Sequence, residues 1–153
     1  MIYFVCAPND LLPIVARNVR WLEKDTDYEL AKSYWQERGQ VLSNSTWDKA
    51  HEYGYQYAAI IECNKIVSSA GVWRFSENWW DIVAAGTLKN YRRRGFSKSI
   101  VAFITSYVHK SGRLATGTTR DDNLAAITTA KSVGFHQVPE TRVWWRYPRL
   151  PDF

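Results

Sequence analysis

Three consecutive arginines, Arg92-Arg93-Arg94, run directly into Gly95-Phe96-Ser97-Lys98. They stand between two stretches of different periodicity. Asp81 to Leu88 is apolar and rich in β-formers, whereas Phe96, Ile100, Phe103, Ile104, Tyr107 and Val108 recur at helical spacing. The cationic run is therefore the turn at a helix N-terminus, where backbone N–H groups lack intrahelical acceptors and the helix dipole is positive. Guanidinium groups beside such an end make a candidate site for a phosphate or a similar anion. Gly95 permits positive φ or close backbone approach at the tightest point, and Ser97 is small enough not to obstruct it.

A turn of this kind needs a sheet to carry it, and the rest of the chain supplies strand and helix patterns in order. Ile2 to Ala7 predicts a first strand. Asn9-Asp10 predicts a cap for a helix carrying Leu11, Leu12, Ile14, Val15, Val19 and Leu22, with Pro13 tolerated in its first turn. A second helix is expected from Asp27 to Arg38, turning Leu30, Tyr34 and Trp35 inward and stopping at Gly39. Residues 40 to 56 leave two readings open: a short helix capped by Ser45 or Thr46 through Trp47, Ala50 and Tyr53, or a loop lined by Trp and Tyr.

Tyr57 to Cys63 and Ile66 to Phe75 read as strands joined by a short turn at Asn64-Lys65, and Ser76-Glu77-Asn78 returns the chain into Trp79 to Leu88. These make an antiparallel meander. The helix after the arginines ends near Lys110 with Gly112 as its stop, and Leu114 to Thr119 follows as a strand. That β-α-β unit requires parallel pairing with the Asp81 strand. Asp121 or Asp122 is expected to cap a last helix with Leu124, Ile127 and Val133 inward and Gly134 at its end; Phe135 to Val138 and Val143 to Tyr147 then close the sheet around the loop 139–142. The class is α+β: a mixed, mostly antiparallel sheet of about six to seven strands flanked by about four helices.

With 153 residues, of which 46% are hydrophobic and 23% charged, the chain is expected to form one domain over residues 1–153. No apolar run is long enough for a bilayer, and Met1 to Ala7 lacks a basic leader before Pro8-Asn9-Asp10, so no membrane association and a cytoplasmic location are expected. Cys6 and Cys63 lie in strand-like apolar segments and read as free buried thiols. The net charge of +5 is unevenly spread: residues 1–62 carry 6 Lys+Arg against 9 Asp+Glu, net −3, and residues 63–153 carry 14 against 6, net +8. A polyanionic ligand is thus expected on the C-terminal half. His51, His109 and His136 are not at metal-ligand spacing, which argues against a metal site. Trp79-Trp80 and Trp144-Trp145 read as core and rim, with no basic stripe beyond the turn, so no nucleic-acid partner is expected.

The element order and the turn Arg92-Arg93-Arg94-Gly95-Phe96-Ser97 resemble the GNAT superfamily of acyl-CoA-dependent N-acetyltransferases. The family's turn reads [Q/R]-x-x-G-x-[G/A]; Arg92 and Gly95 match it, and Ser97 replaces the usual Gly or Ala. Asn123-Leu124-Ala125-Ala126, with Lys131 and Gly134-Phe135, resembles the family's N-x-x-A…G-F segment. The resemblance is tight from Asp81 to Phe135 and topological before that. It implies acetyl-CoA as co-substrate, its pyrophosphate across the N–H groups of Arg93 to Lys98 and its pantetheine arm along Thr87 and Leu88. Gly86 would mark a bulge or splay there, Asn123 would touch the pantetheine, and Lys131 would approach phosphate. It also implies acetyl transfer to a primary amine, either a small molecule or a peptide amine, and leaves a homodimer open. Asp81, eleven positions before Arg92, is the implied general base, with Glu62, Glu77, His136 and Glu140 as alternatives. Ala130 stands where the family often has a tyrosine acid, so solvent, Thr128, Thr129, Ser132 or another tyrosine would protonate the leaving thiolate. A CoA-binding protein without transferase activity, or a basic nucleic-acid-binding protein, is the alternative reading.

Overall fold

The computed structural model describes residues 1–139. Its strands are β1 (Ile2–Cys6), β2 (Val19–Trp21), β3 (Tyr55–Glu62), β4 (Lys65–Trp73), β5 (Trp79–Thr87), β6 (Leu114–Thr119) and β7 (His136–Val138). Its α-helices are α1 (Tyr28–Glu37), α2 (Asn44–Glu52), α3 (Phe96–Lys110) and α4 (Leu124–Val133). The strands form one sheet in the order β2-β3-β4-β5-β6-β1-β7, with β5 and β6 parallel and every other pair antiparallel. This is the mixed α+β architecture expected. The proposed strand Val143–Tyr147, the loop beyond Pro139 and the alternative base Glu140 lie outside the described residues.

Each face of the sheet has its own core. On one face Ile100, Ile104 and Val108 of α3 and Val133 of α4, all fully buried, pack on Ala58, Ala70, Val72, Trp80 and Ala115. On the other, Ala31 and Tyr34 of α1 and Trp47 of α2 pack on Ala59, Ile66 and Leu88. Trp47 stacks on Tyr57 at 5.8 Å and donates its indole N–H to Lys24 O at 2.8 Å, so even this large ring leaves no polar atom wanting. The segment 40–56, left open above, thus holds the short helix α2 at Asn44–Glu52, and its cap is Ser43: the Ser43 hydroxyl accepts from Thr46 N at 3.1 Å.

The expected helix from Leu11 to Leu22 does not form. Pro8–Asp10 makes a single 3₁₀ turn, after which the chain is irregular up to β2. Pro13 removes one helical donor and disfavours helical φ/ψ at Leu12, while Leu12 N bonds to Val133 O at 2.9 Å and Leu11 and Ile14 reach the core without helical geometry. Asn18, at φ 59°, then turns the chain into β2. Other corrections are smaller. The β3–β4 turn is Cys63-Asn64, at φ 50° and 59°, one residue earlier than expected, which leaves Cys63 exposed rather than buried. The cap of α4 is Asn123, and Leu124 beside it is 71% exposed.

Asp27 ties β2 to the start of α1. Its buried carboxylate accepts from both Arg20 guanidinium nitrogens, at 2.8 and 3.0 Å, and from Glu23 N at 2.6 Å. The Arg20 hydrogen bonds hold its pKa below the ordinary aspartate value. An acid with a depressed folded pKa contributes stability above its unfolded pKa and loses it as pH falls. Asp27→Asn should therefore destabilise the protein by about 1–3 kcal/mol at pH 7. Urea denaturation of variant and wild type should show that gap closing as pH is lowered below 4, where the wild-type carboxylate also becomes neutral.

Candidate active site

The site grows out of one local irregularity in β5. Pairing with β6 runs from Trp79↔Leu114 to Ile82↔Gly117 and then ends. On the other side β5 stays with β4, but the register slips: Gly71 faces Val83, and Ser69 faces Gly86. Ala70 thus stands opposite both Ala84 and Ala85, a β-bulge with Ala84 in the left-handed region at φ 54°. From Val83 to Thr87 the edge of β5 that should meet β6 is open, and Ala84 and Ala85 are exposed. Backbone donors and acceptors on that edge are available to an extended ligand. The bulge expected at Gly86 exists two residues earlier.

Beyond β5 the chain makes a 3₁₀ turn at Lys89–Tyr91 and enters the arginine run. Arg93 at φ 63° and Gly95 at φ 76° both adopt left-handed geometry, and Gly95 is the N-cap of α3 with no side chain to satisfy the helix. Ser99 N makes the first helical bond, to Gly95 O at 3.0 Å, so the N–H groups of Phe96, Ser97 and Lys98 point out of the helix end. Arg92 Nε donates back to Thr87 O at 3.1 Å, pinning the turn to the strand end. Arg94 packs over the Tyr91 ring at 5.4 Å and lines a cleft of about 270 Å³ with Arg17, Asn18, Glu62 and Ser99, so it leans toward the end of β3.

A line of hydroxyls braces the turn from beneath. Tyr34 OH and Ser68 Oγ both donate to Gly86 O, at 2.8 and 3.0 Å; Ser68 Oγ lies 2.8 Å from Thr87 Oγ1, which reaches Ser97 Oγ at 3.5 Å. Nothing in the sequence patterns pointed to Tyr34 or Ser68 in this role, because the contact joins residues 52 apart.

Asp81 sits on the face of the sheet that carries α1 and α2, between its cross-strand neighbours Trp73 and Thr116. Thr116 Oγ1 donates to Asp81 Oδ1 at 2.9 Å. Trp73 stacks on Tyr55 at 5.2 Å and meets Phe75 at 4.8 Å with the rings tilted by 36°, an aromatic wall beside the carboxyl. Burial pushes the Asp81 pKa up to about 6, and the Thr116 hydrogen bond offsets only part of that rise. The carboxyl is thus ionised at neutral pH yet basic enough to accept a proton there.

The remaining expected site residues divide. Leu88 is buried and gives its N–H to Val67 O at 2.9 Å, and Thr87 O is already taken by Arg92, so the open edge for an extended ligand lies just before them. Asn123 caps α4 by accepting from Ala126 N at 3.2 Å. Because β5 and β6 are parallel, α3 and α4 start at the same end of the sheet, and Asn123 belongs to the end that carries the arginine turn. Lys131 is exposed in the last turn of α4, eight residues or about 12 Å along the axis, at the opposite end. Ala130 packs against the core. Of the alternative bases, Glu77 is exposed, His136 is exposed at 3.6 Å from Asp10, and Glu62 lines the Arg94 cleft.

Holding a carboxylate in this setting costs stability. An acid with a raised folded pKa destabilises the fold once pH exceeds its unfolded value, so the cost grows between pH 4 and 6 and is constant above. A rise from 3.8 to about 6 corresponds to a cost on the order of 2–3 kcal/mol at pH 7. Asp81→Asn keeps an acceptor for Thr116 and removes the charge. Its melting temperature should exceed that of the wild type at pH 7, and the difference should vanish near pH 4.

A family model described as FR47-like protein matches residues 63–145, more than half of the sequence. No curated protein matches it in sequence. Among solved structures, one from Novosphingobium aromaticivorans assigned to the GNAT family superposes at TM-score 0.73 and 18% identity, over 90% of this chain and 59% of that one. This chain therefore spans about three fifths of that relative. The ribosomal-protein-S18-alanine N-acetyltransferase of Escherichia coli superposes at TM-score 0.66 and 20% identity, over 79% of this chain and 78% of that one. The aminoglycoside N-acetyltransferase AAC(6′)-Iy, solved in complex with CoA, does so at TM-score 0.65 and 12% identity, over 80% and 93%. Among the described residues no helix is long and apolar enough to cross a membrane. Since the matched stretch contains the hairpin, the bulge, the arginine turn and the helices on either side of β6, the chain belongs to the FR47-like family and has the fold of the GNAT superfamily.

Proposed function

We propose that the chain transfers an acetyl group from acetyl-CoA to a primary amine by direct attack, with Asp81 as general base. The observation that carries this reading is the open edge of β5 from Val83 to Thr87, leading straight into a cationic helix N-terminus. An amide-rich arm fits the edge and a pyrophosphate fits the turn, and the two lie end to end as they do in acetyl-CoA. The N–H groups of Phe96 to Lys98, with Arg92 and Arg93, would hold the pyrophosphate. The edge before Thr87 would hold the pantetheine and bring the thioester to the bulge at Ala84-Ala85. A backbone N–H freed by the bulge would then face the carbonyl oxygen as it gains charge. AAC(6′)-Iy in its complex with CoA supports the choice of cofactor.

The amine must be neutral to attack. Asp81 precedes the bulge by three residues, about 10 Å along a strand, so its carboxylate would take the ammonium proton through intervening water. The amine nitrogen then bonds to the acetyl carbon, the nitrogen gives up its second proton to water, the carbon–sulfur bond breaks, and CoA leaves as thiolate. Ala130 offers no proton at the place where a tyrosine often stands, but a thiolate is a stable leaving group and solvent can protonate it. The same residue favours a second reading, binding of CoA without transfer. The acceptor class is a primary amine, on a small molecule or a peptide.

Acetyl-CoA should raise the melting temperature by mass action. Arg92→Ala combined with Arg93→Ala should reduce that shift, most strongly at low salt, where charge pairing is least screened. A protein stabilised by acetyl-CoA that releases no thiol with any amine would establish the second reading; one that ignores acetyl-CoA and responds to oligonucleotides would refute both.

For the base, kcat/KM should rise with pH through about 6 as Asp81 ionises. Asp81→Asn should lose that limb, lower kcat/KM by roughly a hundredfold or more, and leave acetyl-CoA affinity unchanged. An unaltered pH profile in the variant would remove Asp81 from the mechanism.

A further inference from the structure

On the Asp81 face of the sheet, Arg38 lies flat against Gly86. A Cβ on Gly86 would stand 2.5 Å from the Arg38 guanidinium carbon and 2.5 and 2.7 Å from its terminal nitrogens, so a side chain at Gly86 would displace the guanidinium from this position. The guanidinium is held in place by the rings of Trp35 and Tyr34, at 5.2 and 5.4 Å, and by a 3.2 Å hydrogen bond from Nη1 to Tyr34 OH. Tyr34 is itself fully buried and bonded to Gly86 O at 2.8 Å. A long side chain that would ordinarily sample many rotamers is thus fixed on the strand that carries the bulge.

Arg38 is exposed and makes no ion pair among the described residues, and the adjacent carboxylate of Glu37 is held by Lys65 Nζ at 2.7 Å. A guanidinium presents five donors in a planar fork; among the described residues one is used, on a neutral hydroxyl. Gly86 is two residues past Ala84, about 7 Å along the strand, and both Arg38 and Asp81 stand on one face of it. An amine that approaches the bulge from that face would pass within reach of the free guanidinium donors.

We propose that Arg38 is a specificity-determining residue that binds an anionic group, a carboxylate or a phosphate, carried by the acceptor a few bonds from its amine. The inference rests on the transferase reading for the position of the amine, but the anion site itself does not require turnover. Fixed planar donors favour oxyanions that can accept two parallel hydrogen bonds. The same charge disfavours acceptors bearing a second cation.

The test compares matched amines on the full chain in the presence of CoA: β-alanine against β-alaninamide, and O-phosphoethanolamine against ethanolamine, with wild type and Arg38→Gln. At least one anionic amine should raise the melting temperature where its neutral partner does not, and Arg38→Gln should abolish that difference while keeping the shift due to CoA. The pair that responds tells carboxylate from phosphate. With acetyl-CoA in place of CoA, thiol release should follow the same order, with kcat/KM at least tenfold higher for the favoured anionic amine and the ratio near one in Arg38→Gln. Equal shifts within both pairs, or none from either anionic amine, overturn the proposal. A weakened CoA shift in Arg38→Gln also overturns it, by assigning the guanidinium to the cofactor. An Arg38-dependent shift without thiol release from any amine keeps the anion site and refutes the transferase reading instead.

Discussion

The parting of β5 from β6 is the feature on which everything else in the site depends. Two parallel strands that share hydrogen bonds from Trp79↔Leu114 to Ile82↔Gly117 cannot continue once β5 takes an extra residue opposite Ala70. The bulge bends β5 while β4 keeps hold of it through Ser69↔Gly86 and Ser68↔Thr87. What results is a strand with one satisfied edge and one open edge inside an otherwise continuous sheet. Unpaired backbone is expensive when it is dry, so such an edge persists only if water or a ligand reaches it, and the exposure of Ala84 and Ala85 provides that access.

A gap of this kind would collapse without support on both sides. The α3 face contributes fully buried aliphatic side chains, Ile100, Ile104 and Val108. The α1 face contributes a polar brace, in which Gly86 O accepts from Tyr34 and Ser68 together and the hydroxyl line continues through Thr87 to Ser97. Apolar packing sets how close α3 can come, whereas the hydrogen bonds set the angle at which β5 delivers the chain to the arginine turn. That division explains why buried Ser68 is tolerated in a core strand: its hydroxyl is paired on both sides.

The electrostatics of the site run in one direction. Cations gather where β5 ends and α3 begins, and the carboxyl of Asp81 stands on the other side of the bulge, beside an aromatic wall and with its pKa raised by burial to about 6. That arrangement would orient a substrate with an anionic tail and a reactive head by charge before any contact at the bulge formed. Asp27 shows the contrast within the same chain: two guanidinium hydrogen bonds lower the pKa of a buried aspartate, while desolvation raises that of Asp81. Burial alone does not decide how an acid behaves; its donors do.

Periodicity and turn chemistry were enough to read the meander, the α3 helix to within a residue of its ends, the β6 strand and the parallel β5–β6 pairing. In those stretches local preference and tertiary packing agree. The arginine turn was legible for a related reason, since a helix start announces itself by what precedes it. Leu11 to Leu22 was misread because apolar residues at helical spacing can also reach a core from irregular backbone once Pro13 and the bond from Leu12 N to Val133 O remove the helix. Asn123 carried the pattern of a ligand contact, and in the structure it caps α4. Three things needed the tertiary structure: the placement of the bulge at Ala84-Ala85, the Tyr34–Gly86–Arg38 cluster and the neighbours that desolvate Asp81. A bulge is defined only by comparing two strands, a cluster joining residues 52 apart leaves no local spacing, and desolvation is a property of the neighbours. Residue order determined which elements form and in what sequence; the packing of α1 and α3 against a parted sheet decided where their chemistry meets.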